Sequence, residues 1–313
     1  MQSIKTVIAT LLLNSIFCYS YAQKKSSEYK PIQIAENVYS IISPFIGLPT
    51  PENKGWNSNT HFIVTKTGVL VFDTGSSETI GNKIKKTIKT ITNKPILWVV
   101  NSHSHADHWL GNAAFPDAEV FSSLSSSKLM KKYGEEDVNF YSKVTKGTIG
   151  STQLLYPTKL LTKNQKFNFG GTKIELIFSN NGHSPGDILL WLPSQKIILG
   201  GDVLSSDYMP MITGHGNISN LINTLNLILK LNPKIVLTGH GTVTSKESII
   251  RDINLLSNVS KLVKKEFEKR KTEKEILLNA KKKLTLQYSA LYKNFDSEIK
   301  RYIKLLYKQQ LNS

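Results

Sequence analysis

Val99-Val100-Asn101-Ser102-His103-Ser104-His105-Ala106-Asp107-His108-Trp109-Leu110-Gly111 joins an apolar, β-branched run to four potential metal ligands within six residues. Ile96 to Val100 reads as a buried strand, which delivers whatever follows it to the edge of a sheet. At that edge His103 and His105 reach one side of a cavity. Asp107 and His108, on the turn entering the next helix, reach another. Imidazole together with carboxylate suits zinc or a similar borderline divalent ion. Two ligand pairs that point differently imply two ions a few ångströms apart rather than one.

The rest of the chain repeats this device. His183 lies between glycines in Gly182-His183-Ser184-Pro185-Gly186-Asp187, after the strand Lys173 to Phe178. Gly200-Gly201-Asp202 closes the strand from Lys196. Its glycines let the backbone approach a crowded site, and a carboxylate there can bridge two cations while lowering their repulsion. Thr238-Gly239-His240-Gly241 turns at the end of Pro233 to Leu237.

His-x-His-x-Asp-His after a buried strand, with these later turns in this order, resembles the signature of the metallo-β-lactamase-fold hydrolases. Upstream, Val69-Leu70-Val71-Phe72-Asp73-Thr74-Gly75 resembles that family's early strand ending in Asp-x-Gly, so the likeness runs from about Ile34 to beyond His240. It implies that His103, His105 and His183 hold one ion, that Asp107, His108 and His240 hold a second, and that Asp202 bridges them. It also implies that Asp73 orients the metal turn from behind. Asn57-Ser58-Asn59-Thr60-His61-Phe62 and the turn His105-Ala106-Asp107-His108-Trp109-Leu110-Gly111-Asn112 look most like exported bacterial zinc hydrolases of the quinoprotein-associated, SoxH-like type. The tail with Tyr288, Asn294-Phe295 and Tyr302 fits that group's C-terminus.

The 313 residues, 40% of them hydrophobic, suffice for one large buried core. Net charge is +17 at a pI of about 9.7. Lys far outnumbers Arg and no basic-aromatic recognition module is visible, so the charge reads as a solvated exterior and no specific nucleic-acid partner is expected.

Residues 1–22 read as a signal peptide, with Lys5 before an apolar stretch from Val7 to Cys18 and a cleavage site at Ser20-Tyr21-Ala22. The stretch is short for a transmembrane span. A periplasmic or secreted protein is expected, with no transmembrane helix in the mature chain. Cys18 is the only cysteine, so the mature chain forms no disulfide and offers no thiolate ligand or nucleophile. The zinc β-lactamases that use a cysteine at the second ion are therefore a poor match, and Asp202 stands where that ligand would be expected.

Strands and helices alternate in two similar halves, which gives a mixed α/β (α+β) domain. The resemblance makes it a four-layer αββα sandwich over residues 23–245, with a basic helical extension over 246–313 packed on the same domain. Helices are expected over Glu78 to Thr92 (capped by Ser77), from Trp109 to Phe115, over Ser125 to Gly147, from Asn217 to Lys230, from Ser245 (as cap) to about Lys271, and from Lys274 to Gln310. Glu135-Glu136-Asp137 reads as a solvated helix face, and His61 as buried rather than a ligand. Trp56, Tyr208 and His215 are candidates to line the substrate cavity.

The ligand set and the resemblance imply a hydrolase of small molecules, and the leader implies that it is exported. Two zinc ions can lower the pKa of a bound water from about 15.7 to about 7, and the resulting hydroxide would open an ester, lactone, thioester or lactam. Asp107 is the residue expected to hold or shuttle the proton. A true β-lactamase is the first alternative. A sulfur dioxygenase of the same fold, with a single iron, is the second.

Overall fold

The computed structural model describes residues 29–179, 181–213 and 215–311. The leader expected over residues 1–22, with Cys18, lies outside the described residues.

Two sheets form the centre. The first has seven strands in sequence order, β1 (Pro31–Ala35), β2 (Val38–Ile41), β3 (Thr60–Val64), β4 (Val69–Phe72), β5 (Ile96–Val100), β6 (Glu119–Ser123) and β7 (Lys159–Leu161). It is antiparallel from β1 to β4 and parallel from β4 onward. The second has five strands, β8 (Gln165–Phe169), β9 (Thr172–Phe178), β10 (Ile188–Leu192), β11 (Ile197–Leu199) and β12 (Ile235–Leu237), ordered β12-β11-β10-β9-β8. Only its β11–β12 pair is parallel.

Side-chain alternation builds the layers. On β4, Val69 and Val71 pack outward with Ile80, Ile84 and Ile88 of helix α1 (Glu78–Lys89), while Leu70 and Phe72 face the other sheet. On β10, Ile188, Leu190 and Leu192 fill the space between the sheets. Leu189 and Trp191 turn outward into a core shared with α4 (Ile218–Lys230), α5 (Lys246–Glu268), α6 (Glu273–Tyr288) and α7 (Phe295–Leu311). Strands buried on both faces read as continuous apolar runs. The result is the αββα sandwich.

Local sequence explains most boundaries. Ser77 caps α1, its hydroxyl accepting from Ile80 N at 3.2 Å, and Lys86 and Lys89 sit in the last turn where the helix dipole favours cations. The helix stops at Lys89, three residues before the expected end. The helix expected at Trp109 begins earlier, as the short α2 (Ala106–Trp109), and passes into a 3₁₀ turn over Leu110–Ala114. A long helix, α3 (Leu124–Val144), follows β6. Ser245 precedes α5 without capping it through its side chain; its hydroxyl donates to Glu247 instead. The tail is two helices, not one. Thr272 and Glu275 form a reciprocal capping box that starts α6, and the chain breaks at 289–294 before α7. Among the described residues no helix is long and apolar enough to cross a membrane.

Candidate metal centre

Five strand ends converge. Asp73 follows β4, the His103–His108 turn follows β5, the His183 loop follows β9, Asp202 follows β11 and His240 follows β12. His103, His105, His183 and Asp202 offer donor atoms within 4.8 Å of one another, and Asp107, His108 and His240 do the same. Asp202 stands between the groups. Its Oδ2 is 3.8 Å from His103 Nε2 and 3.6 Å from His183 Nε2, and its Oδ1 is 3.3 Å from both His108 Nε2 and His240 Nε2.

The outer nitrogens of four of these rings are spent on the protein. His183 Nδ1 donates to Met211 O at 2.6 Å and His240 Nδ1 to Asn57 O at 2.6 Å. His108 Nδ1 donates to Asp73 Oδ2 at 2.9 Å. Ser102 Oγ donates to Asp73 Oδ2 at 2.8 Å, so it accepts from His103 Nδ1, also at 2.8 Å. Each ring is thereby fixed with its Nε2 lone pair turned inward, the arrangement by which supporting groups orient metal-ligating histidines. His105 Nδ1 lies 2.8 Å from His103 Nε2 and 3.0 Å from His183 Nε2. Lone pairs so close favour a cation among them. Buried His108 Nε2 and Asp202 Oδ1 also have no hydrogen-bond partner, a cost that coordination would remove. Imidazole and carboxylate donors without sulfur fit zinc.

Electrostatics divide the centre. Burial holds His103 well below the usual imidazole range, with His108 and His105 adding to it, and lowers His105 to about 3. Burial also works against charge on His108, but Asp107, Asp202 and Asp73 outweigh it and raise that ring well above its ordinary value. A field that retains a proton there also retains a metal cation.

The supporting turns are tight. Asp73 adopts φ of 62°, and its Oδ1 accepts from Ser102 N at 2.7 Å, tying β4 to the His103 turn. Gly239 leaves no room for a Cβ, which would stand 2.2 Å from Asp202 Oδ1 and 3.0 Å from His108 Cε1. Gly239→Ala is therefore expected to displace Asp202 and weaken metal retention about 10–100-fold, measured by competition with a chromogenic chelator. Unchanged affinity would show that Asp202 is not a ligand.

A cavity of about 470 Å³ opens over Asp107, Asp202, His105 and His240. Tyr208 lines it, with Met209 and Met211 from the same loop. Trp56 does not. It is 5% exposed and packs in the core beneath, stacked on Tyr29 at 3.8 Å, because the Pro- and Gly-rich loop before it turns its rings inward. His215 is exposed and borders a second cavity that His105 also lines. His61 is buried, bonded to Ser40 and the Thr238 carbonyl.

Several residues are visible only in three dimensions. Asn57 Nδ2 donates to Asp107 Oδ2 at 3.0 Å. Asp187 accepts from the backbone N–H groups of His183 and Ser184, at 3.1 Å and 3.0 Å, and holds that loop closed; an Asp four residues after a loop histidine was its only signal. Asn294, just before α7, and Glu298 and Arg301 on that helix reach the 470 Å³ cavity, a contact that sequence spacing could not reveal.

A family model described as the metallo-beta-lactamase superfamily matches residues 53–240. Named relatives include the metallo-beta-lactamase IND-1 of Chryseobacterium indologenes, 26% identical over 66% of this chain and 76% of that protein. A type 2 metallo-beta-lactamase of Bacillus sp. (strain 170) is 24% identical over 64% of this chain and 72% of its own length. Among solved structures, a metallo-beta-lactamase from Pontibacter korlensis superposes with a TM-score of 0.60 at 20% identity, covering 73% of this chain and 99% of that one. A double mutant of the sec-alkyl sulfatase PisA1 gives 0.68 at 15% identity, covering 90% of this chain and 50% of that one. At these identities the two structures show the shared fold.

Proposed function

Because this chain belongs to the metallo-beta-lactamase superfamily and is a metal-dependent hydrolase, we propose that it is an exported two-zinc enzyme opening a small ester, lactone, thioester or lactam. The observation that carries this reading is Asp202, whose two oxygens are divided between the two histidine groups. Zinc held there would supply Lewis acidity toward a carbonyl and would lower the pKa of water to about 7.

The protein's own groups do the rest. Asp107 Oδ2 lies 3.4 Å from His240 Nε2 and accepts from Asn57 Nδ2 at 3.0 Å, so it is held where a proton can be taken up at Oδ2 and passed to a leaving group. Asn57 Nδ2 also donates to Gly47 O at 2.9 Å, which fixes the overhanging loop. Ile46, Leu48 and Phe140 give the cavity apolar walls. Its volume of about 470 Å³ suits a small molecule. Export rests on the leader sequence, and the placement among SoxH-like hydrolases rests on the resemblance of residues 57–62 and 105–112.

A true β-lactamase is the second reading, favoured by the names of the relatives. Parallel assays on the zinc-loaded protein separate the two, one with an aryl ester and a thioester, the other with a chromogenic cephalosporin, each beside a chelated control. Ester turnover with a kcat/KM above about 10⁴ M⁻¹s⁻¹ that chelation abolishes is the expected result. Comparable efficiency on the cephalosporin alone would transfer the assignment to β-lactams, and chelator-resistant turnover would overturn the metal mechanism. Metal analysis of the purified protein decides between zinc and iron.

A further inference from the structure

The metal groups border two cavities. His105, Asp107, Phe140 and Tyr141 line both the 470 Å³ cavity and an adjoining one of about 320 Å³. The two differ in chemistry. The first is mostly apolar and carries Arg301 beside Glu298. The second has no Lys or Arg among its lining residues, in a chain with 40 of them and a net charge of +17.

The second cavity is lined along one stripe of α3. Leu129, Tyr133 and Asp137 recur every four residues, and Phe140 and Tyr141 complete the face. Asp137 is half-buried among the aromatic lining residues, and burial together with Glu136 and Asp107 pushes its carboxyl up to about 7, so a cation beside it would restore its charge. The Phe140 and Tyr141 rings meet at 70° with centroids 5.9 Å apart, forming the wall between the cavities. Tyr133 already carries the Lys132 ammonium 4.8 Å from its centroid, and Lys132 is not among the cavity's lining residues. Ser184, Thr213 and His215 complete the lining with polar side chains. A carboxyl group beside the Phe140 and Tyr141 rings, with no Lys or Arg among the lining residues, suits an ammonium group, most of all a quaternary one, which has no N–H to hydrogen-bond.

We propose that this second cavity is a subsite for a cationic amine, so that the substrate is an acyl compound with an ammonium on one side of the bond to be cleaved. This deepens the hydrolase reading by naming a substrate class, but the subsite stands on its own geometry.

Calorimetric titration of the zinc-loaded protein with choline and with its neutral isostere 3,3-dimethylbutan-1-ol tests it. Both carry the same hydroxyl, so any contact with the metals cancels. Choline is expected to bind about tenfold more tightly, from the cation–π and charge contributions together. Asp137→Asn should reduce that preference to about twofold or less, and Phe140→Leu should weaken choline more than the alcohol. Equal affinities for the two probes, or a preference untouched by Asp137→Asn, would overturn the proposal. Hydrolysis of a choline ester and a 3,3-dimethylbutyl ester is measured alongside. A retained choline preference without chelator-sensitive cleavage of either ester would support the subsite and reject the ester-hydrolase reading.

Discussion

Asp202→Ala is expected to cost on the order of 10³-fold in kcat/KM, about 4 kcal/mol at 1.36 kcal/mol per tenfold. Its two oxygens serve both histidine groups, so one substitution strips a donor from each and removes the charge that offsets two neighbouring cations. The fold should persist. Asp202 sits on a 3₁₀ turn over Gly201–Val203, and nothing in the apolar cores depends on its carboxylate. The expected signature is loss of bound metal and of turnover with far-UV circular dichroism unchanged. His105→Ala should follow the same pattern on one metal group only. Full metal content with normal turnover in the Asp202 variant would reject the shared-carboxylate centre.

Removal of the residues after Lys271 has the second large effect, on stability. Ile276, Ala280, Leu284, Tyr288, Tyr292, Phe295, Ile299, Tyr302, Ile303 and Leu306 are all buried in the core that also holds Leu189, Trp191 and Ile198 of the second sheet. Each large side chain contributes about 1.5–3 kcal/mol by burial, and whole domains have only about 5–15 kcal/mol to lose. The shortened chain should therefore lose its cooperative melting transition, and an intact transition would show that the tail is a separate arm. Tyr302→Phe offers a gentler test of the same helix. The Tyr302 hydroxyl donates to Pro210 O and Arg301 to Ile212 O, Asn294 accepts from Met209 N at 2.8 Å, and Lys293 N donates to Asp207 O at 2.8 Å. The next carbonyl along that loop, at Met211, fixes His183. The phenylalanine variant should lose about 1–3 kcal/mol of stability from the unpaired carbonyl, with metal affinity falling about tenfold or more through His183.

These two effects also mark what the sequence reveals. Strand ends, and the candidate ligands just past them, are legible because continuous apolar runs and short glycine-bearing turns are local signals; the positions of His103, His183, Asp202 and His240 follow from them, and the family resemblance supplies their grouping. Direction is harder. Trp56 belongs to a loop whose composition fits a substrate flap equally well, and only packing against Tyr29 and Ile41 decides that it points inward. The division of the tail had a local signal in the Thr272–Glu275 box, but its return to the cavity through Asn294, Glu298 and Arg301 depends on the angle at which α7 crosses α5, and residue spacing does not encode that.

Each histidine group draws donors from both sheets. His103 and His105 follow β5 of the first sheet while His183 and Asp202 follow strands of the second, and Asp107 and His108 meet His240 in the same way. Neither sheet alone supplies a complete group of donors. Since metal binding couples to folding wherever the unassembled ligands cannot gather, the centre acts as a fastener between halves. If the chain were nicked in the irregular link over residues 145–158, a bound cation would add to the buried apolar contacts between the sheets in holding the two fragments together.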